Sequence, residues 1–170
     1  MAFSPEDRME QAAIPQMKIF ENVALNNFKS SNFFNNGLIN EKKIKEHSKK
    51  ILSDFSVNTN NVELKSQFLS GGNLQKLIIG RELITSPELL ICFNPTWGLD
   101  VGAINYIHET LIKINEQKKS IILISTDTDE LLKLSDKISV IYKGKLSKIM
   151  KAEEVTSEKL GILMGGGEID

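Results

Sequence analysis

Cysteine, arginine and long apolar runs are scarce in this chain of 170 residues. The single cysteine, Cys92, excludes a disulfide framework or a cysteine-built metal cage, and it fits a reducing compartment. No stretch approaches the roughly 18 apolar residues of a membrane span. The first residues, MAFSPEDRMEQ, lack the basic region and the apolar run of an export signal. These absences predict a soluble, intracellular protein.

An excess of charge is also absent, since 21 lysines and arginines face 22 aspartates and glutamates, for a net charge of −1. This balance gives no electrostatic footprint for nucleic acid or for an acidic membrane surface. Arginine is represented only by Arg8 and Arg81, so recognition of phosphate or bases by arginine has few candidates. The two histidines, His47 and His108, fall on predicted helices and are expected at the surface or at its boundary.

The spacing of apolar residues predicts an α/β fold with a parallel sheet, and the length suits one compact domain. A polar, Asn-rich loop is expected over 30–40, and Lys143 with Gly144 predicts a hairpin turn. Helices are expected over 15–27, 41–55, 71–86, 101–117, 127–134 and 153–164. Strands are expected over 88–93, 120–125, 138–142 and 145–150. A strand, a helix and a strand in succession predict a right-handed crossover.

Residues 68–76, FLSGGNLQK, form the most informative stretch of the sequence. Ser70 is a good N-cap for the helix that follows, and the two glycines after it let a ligand approach the backbone. The first N–H groups of a helix are unpaired and lie at the positive end of its dipole, which suits phosphate. A capped helix after a flexible loop is the simpler interpretation of Ser-Gly-Gly alone, whereas the whole string is far more specific.

This string resembles the LSGGQ-type signature of ABC transporter ATPases, in the LSGGNxQK form of the importers for sugars and nucleosides. The resemblance continues in the same order and at similar spacing over nearly the whole chain. It includes a PEDR segment at 5–8, an EN element at 21–22, a D-loop region PTWGLDVGA at 95–103, closing DKI and KGK segments at 136–138 and 143–145, and LMGG at 163–166. The PEDR segment resembles that of the second cassette in proteins with two fused cassettes.

The resemblance implies that residues 1–170 form a partial P-loop NTPase cassette of the ABC type. We expect a helical subdomain with the signature over about 15–86, a parallel-sheet core over about 87–150, and a C-terminal helix and tail over 151–170.

The phosphate-binding loop of such a cassette is missing from the sequence. No G-x-x-x-x-G-K-[ST] string occurs, and in this family that loop precedes the PEDR segment. The Walker A strand and loop are therefore expected to be absent, and the chain is expected to be a C-terminal fragment. Strands 88–93 and 120–125 are then expected to have partly unpaired edges.

Other positions depart from the catalytic pattern of the family. Phe93 and Asn94 stand in place of the aspartate that supports Mg²⁺ and the glutamate that polarises the attacking water. Phenylalanine has no oxygen for a metal-bound water, and an asparagine amide has no basic oxygen to take a proton. Thr126 replaces the switch histidine, and Glu6 stands where a first cassette has its Q-loop glutamine. No catalytic residue is therefore expected to be intact, and the chain alone is expected to be inactive.

The signature and the D-loop, by contrast, match the family. In ABC dimers the signature closes over ATP held by the partner cassette, which implies phosphate contacts in trans from Ser70, Gly71, Gly72 and Asn73, beside Asp100 of the D-loop. ATP and Mg²⁺ are expected at the shared interface, and neither is expected to be held by this chain alone, which offers no metal ligands. The implied function is an ATP-binding component of a sugar or nucleoside importer.

The implied partners are a second nucleotide-binding domain, transmembrane permease subunits and, indirectly, a substrate-binding protein, with no nucleic acid among them. The loop near Glu6 is expected to touch the permease. The implied location is peripheral, at the cytoplasmic face of the cell membrane. A non-catalytic regulatory or structural remnant of such a cassette is the alternative. A standalone enzyme is disfavoured, because the lysine and the carboxylates are missing.

Two further features each have a second interpretation. Trp97 either packs within the chain, which is favoured, or makes a contact across the dimer. The acidic group of Asp127, Asp129 and Glu130 has the composition of a metal site, but it is better explained as the capped and charged start of a helix.

Overall fold

The computed structural model describes residues 1–25, 33–35 and 38–167, and it divides into two units, Met1–Ile122 and Leu123–Asp170. The helices of the described ranges are α1 (Ile19–Leu25), α2 (Glu41–Asp54), α3 (Gly71–Leu83), α4 (Val101–Glu116), α5 (Thr128–Leu134) and α6 (Ser157–Met164). The strands are β1 (Ala2–Ser4), β2 (Phe34–Asn35), β3 (Leu38–Ile39), β4 (Leu89–Phe93), β5 (Ser120–Ile124), β6 (Lys137–Ile138), β7 (Ile141–Tyr142), β8 (Lys145–Leu146) and β9 (Met150–Lys151). Within these ranges, none of the helices combines the length and the apolar character that crossing a membrane requires.

Capping side chains determine where α2 and α4 begin. Asn40 Oδ1 accepts the N–H of Lys43 at 3.1 Å and opens α2. Asp100 Oδ1 accepts the N–H of Ala103 at 2.9 Å and opens α4. The predicted starts of these two helices are confirmed. A core between α1, α2 and α3 is formed by apolar side chains that include Ile19, Val23, Ile44, Leu52, Leu74 and Ile78.

The end of α3 lies earlier than the predicted end at residue 86. Its last residue is Leu83, whose carbonyl accepts the N–H of Ser86 at 2.9 Å. Ser86 has a φ of +47°, which a helix does not permit. Because Pro87 disfavours helical backbone in the residue before it, the chain leaves the helix in a turn before β4 begins.

A three-stranded sheet has the order β1-β4-β5, so that β4 has a neighbour on each side. β1 runs parallel to β4, with Ala2 opposite Leu90 and Ser4 opposite Cys92. The expectation that strand 88–93 has an unpaired edge is therefore wrong, because the sequence pattern did not identify the short strand β1. Cys92 is fully buried in β4 and is therefore a core thiol.

The two histidines differ in burial. His47 on α2 is half-buried, as expected, and its ring lies edge-on to that of Phe33 at 5.6 Å between centroids. His108 on α4 is only 7% exposed, so the expectation that it lies at the surface or at its boundary is wrong. It lies three residues before Leu111 and therefore on the face that α4 buries.

The expected loop over 30–40 contains regular structure. β2 and β3 pair in antiparallel fashion, with Phe34 opposite Ile39 and Asn35 opposite Leu38. The rest of that predicted loop, residues 30–32 and 36–37, lies outside the described residues. Strands of two residues carry too little periodicity to be predicted from sequence.

The second unit contains α5, α6 and the predicted hairpin. Lys143 and Gly144 have φ values of +46° and +78°, as a two-residue hairpin turn requires, and they connect β7 to β8. The predicted strands 138–142 and 145–150 are each interrupted. The Ser147 hydroxyl accepts the N–H of Val140 at 2.9 Å, and this contact separates the β7–β8 pair from the β6–β9 pair. The core of this unit includes Ile138, Val140, Val155 and Leu160.

Candidate functional site

The first turn of α3 is partly open to solvent. Ser70 and Gly71 are exposed, whereas Gly72 is buried. The N–H groups of this turn lie at the positive end of a helix of 13 residues. The turn is therefore an accessible place for an anion.

Two hydrogen bonds orient the Ser70 hydroxyl. Its oxygen accepts the backbone N–H of Asn73 at 3.4 Å and the side-chain Nδ2 of Asn73 at 2.9 Å. The Asn73 amide is itself fixed, because its Oδ1 accepts the N–H of Asn58 at 2.8 Å. Since both contacts use the lone pairs of the Ser70 oxygen, its proton is left to donate to a further acceptor. The turn thus combines a hydroxyl donor with backbone donors.

The starts of α3 and α4 lie against each other. A Cβ atom at Gly72 would lie 2.7 Å from the Cβ of Ala103 and 3.7 Å from Oδ2 of Asp100. The absence of a side chain at Gly72 therefore permits this close approach. The contact places Asp100, at the predicted D-loop, beside the predicted signature.

The carboxyl end of β4 carries an amide that is held by a carboxylate. Asn94 is 5% exposed, and its Nδ2 donates to Oε1 of Glu6 at 2.7 Å. Phe93, the residue before it, is half-buried. The structure thus joins Glu6, at the predicted Q-loop position, to Asn94, which the sequence had marked as a departure from the family. The amide oxygen of Asn94 is not basic enough to take a proton from a water molecule.

Arg8 connects the same N-terminal segment to the loop that follows β4. Its Nη2 donates to the carbonyl of Trp97, and its Nη1 lies 3.3 Å from the place where Gly71 would carry a Cβ. Burial lowers the pKa of the Arg8 guanidinium, and Asp7 opposes that change. Sequence reasoning did not assign Arg8 to the site. The available signal was its position in the PEDR segment, as one of the chain's two arginines.

Trp97 lies on this loop and is 66% exposed. The favoured expectation, that Trp97 packs within the chain, is therefore wrong. Its backbone, not its ring, is tied to the structure, because its carbonyl accepts from Arg8 and its N–H donates to the Asn94 carbonyl at 3.2 Å. The indole is left on the surface near the start of α3.

The second unit carries Thr126, which is exposed and follows β5. Asp127 opens α5, because its Oδ1 accepts the N–H groups of Asp129 at 2.9 Å and Glu130 at 3.1 Å. The interpretation of these acidic residues as a helix start is confirmed. No cluster that could hold a metal ion occurs among the residues that the structure describes. The other predicted site residues, Glu6, Phe93, Asn94, Asp100 and the first turn of α3, lie in the first unit.

Comparison with known proteins gives close relatives for nearly the whole chain. The nucleoside import ATP-binding protein NupA of Lactococcus lactis subsp. cremoris (strain MG1363) is 40% identical over 166 residues, which are 98% of this chain and 33% of that protein. The ribose import ATP-binding protein RbsA of Oceanobacillus iheyensis is 37% identical over 167 residues, which are 98% of this chain and 33% of that protein. The chain thus spans about a third of the length of these relatives. No protein-family model matches it.

A solved structure has the same fold. The ATP-binding cassette MJ0796, in a dimeric post-hydrolysis state bound to ADP and Pi, superposes with a TM-score of 0.71 at 22% identity. The match covers 89% of this chain and 62% of that one. The predicted α/β cassette fold is therefore confirmed, with its parallel sheet and surrounding helices.

Proposed function

The chain is a homologue of the ATP-binding proteins of ABC-type nucleoside and sugar importers, over about a third of their length, and from this premise we propose that it supplies the signature and the D-loop to ATP held by a partner cassette. The observation that carries this proposal is the exposed first turn of α3, with the Ser70 hydroxyl held by Asn73 and Asp100 beside Gly72.

The chemistry of this turn suits a γ-phosphate. Ser70 offers its hydroxyl, and Gly71 and Gly72 belong to a turn whose N–H groups are at the positive end of the dipole. These donors are fixed before any ligand arrives. They can therefore stabilise the negative charge that develops on the phosphate without first having to reorganise. In our proposal Asn73 acts by holding Ser70, and Asp100 acts by holding the start of α4.

The catalytic positions of this chain's own site are, in our proposal, degenerate. Phe93 offers no oxygen, Asn94 donates to Glu6 and does not accept a proton, and Thr126 lacks an imidazole. When ATP and Mg²⁺ are bound at the shared interface, they supply the triphosphate and the charge neutralisation for phosphoryl transfer. The residues of this chain orient the phosphate at the partner's site.

The proposed assembly contains a second nucleotide-binding domain, transmembrane permease subunits that contact the region of Glu6, and indirectly a substrate-binding protein. The chain is then peripheral, at the cytoplasmic face of the membrane. The helical region over about 15–86 and the sheet region over about 87–150 remain the proposed subdomains of the cassette, followed by the C-terminal helix and tail.

The test is the substitution Ser70→Arg in the complete ATP-binding protein that contains this segment. An arginine at the exposed cap removes the hydroxyl and places a bulky side chain where the phosphate is expected. We expect ATP hydrolysis to fall by about a hundredfold or more, as when a preorganised donor is lost. Steady-state phosphate release with the permease present measures this loss.

The matched control is Gln67→Arg, which adds the same side chain at an exposed position before the signature. Its rate of hydrolysis should stay close to that of the wild type. Equal rates for Ser70→Arg and Gln67→Arg would contradict the role in trans and favour a non-catalytic remnant.

A further inference from the structure

The segment before α1 touches the loop between β4 and α4 at two separate points. Oε1 of Glu6 accepts the side-chain amide of Asn94 at 2.7 Å, where the loop begins. Nη2 of Arg8 donates to the carbonyl of Trp97 farther along the same loop. Neither contact is local, since the partners lie 88 and 89 positions apart in the sequence.

The loop itself also has backbone contacts within the chain. Two backbone contacts close it, from the N–H of Trp97 to the Asn94 carbonyl and from the N–H of Leu99 to the Thr96 carbonyl, both at 3.2 Å. It also contains positive φ values at Asn94, +42°, and Gly98, +66°. A positive φ raises the conformational energy of a residue other than glycine, so surrounding contacts must maintain this conformation at Asn94.

The loop leads directly into Asp100, which caps α4 and lies beside Gly72 on α3. Any displacement of the loop therefore moves the Asp100 carboxylate relative to the first turn of α3, which we call the signature turn. The Arg8 guanidinium also lies against Gly71 itself. A continuous set of contacts thus runs from the N-terminal segment through the loop to the start of α3.

We propose that Glu6 and Arg8 are positioning residues, which hold the loop between β4 and α4 at two points and so fix Asp100 beside the signature turn. This inference rests on the proposed function only in assigning that turn to a shared ATP site. The contacts themselves belong to this chain alone.

The experiment measures amide hydrogen exchange, residue by residue, in the 170-residue chain without nucleotide or partner. In Glu6→Ala and in Arg8→Ala we expect the amides of Trp97, Leu99 and Ala103 to exchange about fivefold faster or more, because each variant loses one hydrogen bond to the loop. The buried amide of Ile107, farther along α4, should keep its wild-type rate.

Glu10→Ala is the matched control, since it removes an exposed carboxylate from the same segment. It should leave the loop amides unchanged. Glu6→Gln should also stay within about twofold of the wild type, because an amide oxygen still accepts from Asn94. Loop rates that do not change in either alanine variant would overturn the proposal, as would equal acceleration of the loop amides and of Ile107.

A charge exchange tests the Glu6 contact by a second route. Asn94→Asp places two carboxylates against each other, so the loop amides should exchange faster than in the wild type. Adding Glu6→Gln to this variant restores the hydrogen bond with the roles exchanged, because the new amide at position 6 can donate to the new carboxylate at position 94. The exchange rates should then return toward those of the wild type. Failure of this return would show that the pair does not hold the loop.

These outcomes do not depend on ATP hydrolysis. The proposed role of Ser70 in trans is tested in the complete protein. The positioning role of Glu6 and Arg8 is tested separately, in this chain.

Discussion

At the scale of single residues, the two glycines of the signature turn have different surroundings. A Cβ at Gly71 would meet Nη1 of Arg8 at 3.3 Å and Cδ2 of Leu99 at 3.4 Å, which are the ends of flexible side chains. A Cβ at Gly72 would meet the Cβ of Ala103 at 2.7 Å, and that atom is fixed to the backbone of α4. Only Gly72 is therefore required for packing.

We expect Gly72→Ala to destabilise the chain by about 1–3 kcal/mol, the usual cost of an atom too many in a packed contact. Gly71→Ala serves as the control and should remain close to the wild type, because alanine favours a helix and the neighbouring side chains can move. Urea denaturation followed by far-ultraviolet circular dichroism measures both changes.

The pair Gly72→Ala and Ala103→Gly examines the same contact in reverse. The double variant removes the clash, so its loss of stability should be smaller than the sum of the two single losses. Strict additivity would mean that the two atoms do not meet.

At the scale of elements, the beginnings of α2, α3, α4 and α5 could be predicted to within one residue. The beginnings of α1 and α6, expected at 15 and 153, were wrong by four residues, and the shortest strands were missed. Asn40, Asp100 and Asp127 are local signals, because each side chain accepts N–H groups only a few residues ahead. β1 has no such signal. It exists because of its pairing with β4, which lies far away in the sequence.

The same distinction applies to the candidate site. The signature turn and its cap could be predicted from one continuous string of residues. The hydrogen bond between Glu6 and Asn94 could not, because it depends on how the sheet brings distant residues together. The burial of His108 and the exposure of Trp97 likewise depend on which surfaces the fold covers. Composition and spacing contain no direct record of such tertiary contacts.

A pH prediction belongs to α2. Burial lowers the pKa of His47 below its usual 6.5, Lys50 adds to this effect and Asp54 opposes it. Protonation therefore favours the unfolded chain. The contribution of neutral His47 to stability is present above about pH 6.5 and is lost as the pH falls through the pKa of the folded state.

The expected result is that the wild type loses stability between pH 7.5 and pH 5.5, and that His47→Gln loses less over the same interval. Chemical denaturation at the two pH values provides the comparison. Lys49→Gln, an exposed change on the same helix, should lose as much as the wild type. An identical loss in His47→Gln and the wild type would show that His47 does not contribute.

At the scale of the whole molecule, β1 covers one edge of β4, the strand that leads to the loop of the site. Unpaired strand edges recruit other strands, including those of a second copy of the chain. The near-zero net charge of −1 gives little electrostatic repulsion against such contacts.

Removal of residues 1–4 should therefore produce concentration-dependent self-association, measured by light scattering coupled to size-exclusion chromatography. Phe3→Ser provides the control, because it keeps the paired backbone and replaces a side chain that is 47% exposed. That variant should associate no more than the wild type. A shortened chain that elutes as the wild type does, at every concentration, would refute the protective role of β1.

The exposed indole of Trp97 has a consequence for how this molecule is observed. It is the chain's one tryptophan, so all tryptophan emission originates from a single loop next to the signature turn. Water surrounds most of that ring, and a surface that covers it replaces this water with a less polar environment. The wavelength of maximum tryptophan emission therefore reports whether that loop is covered, and no attached label is needed.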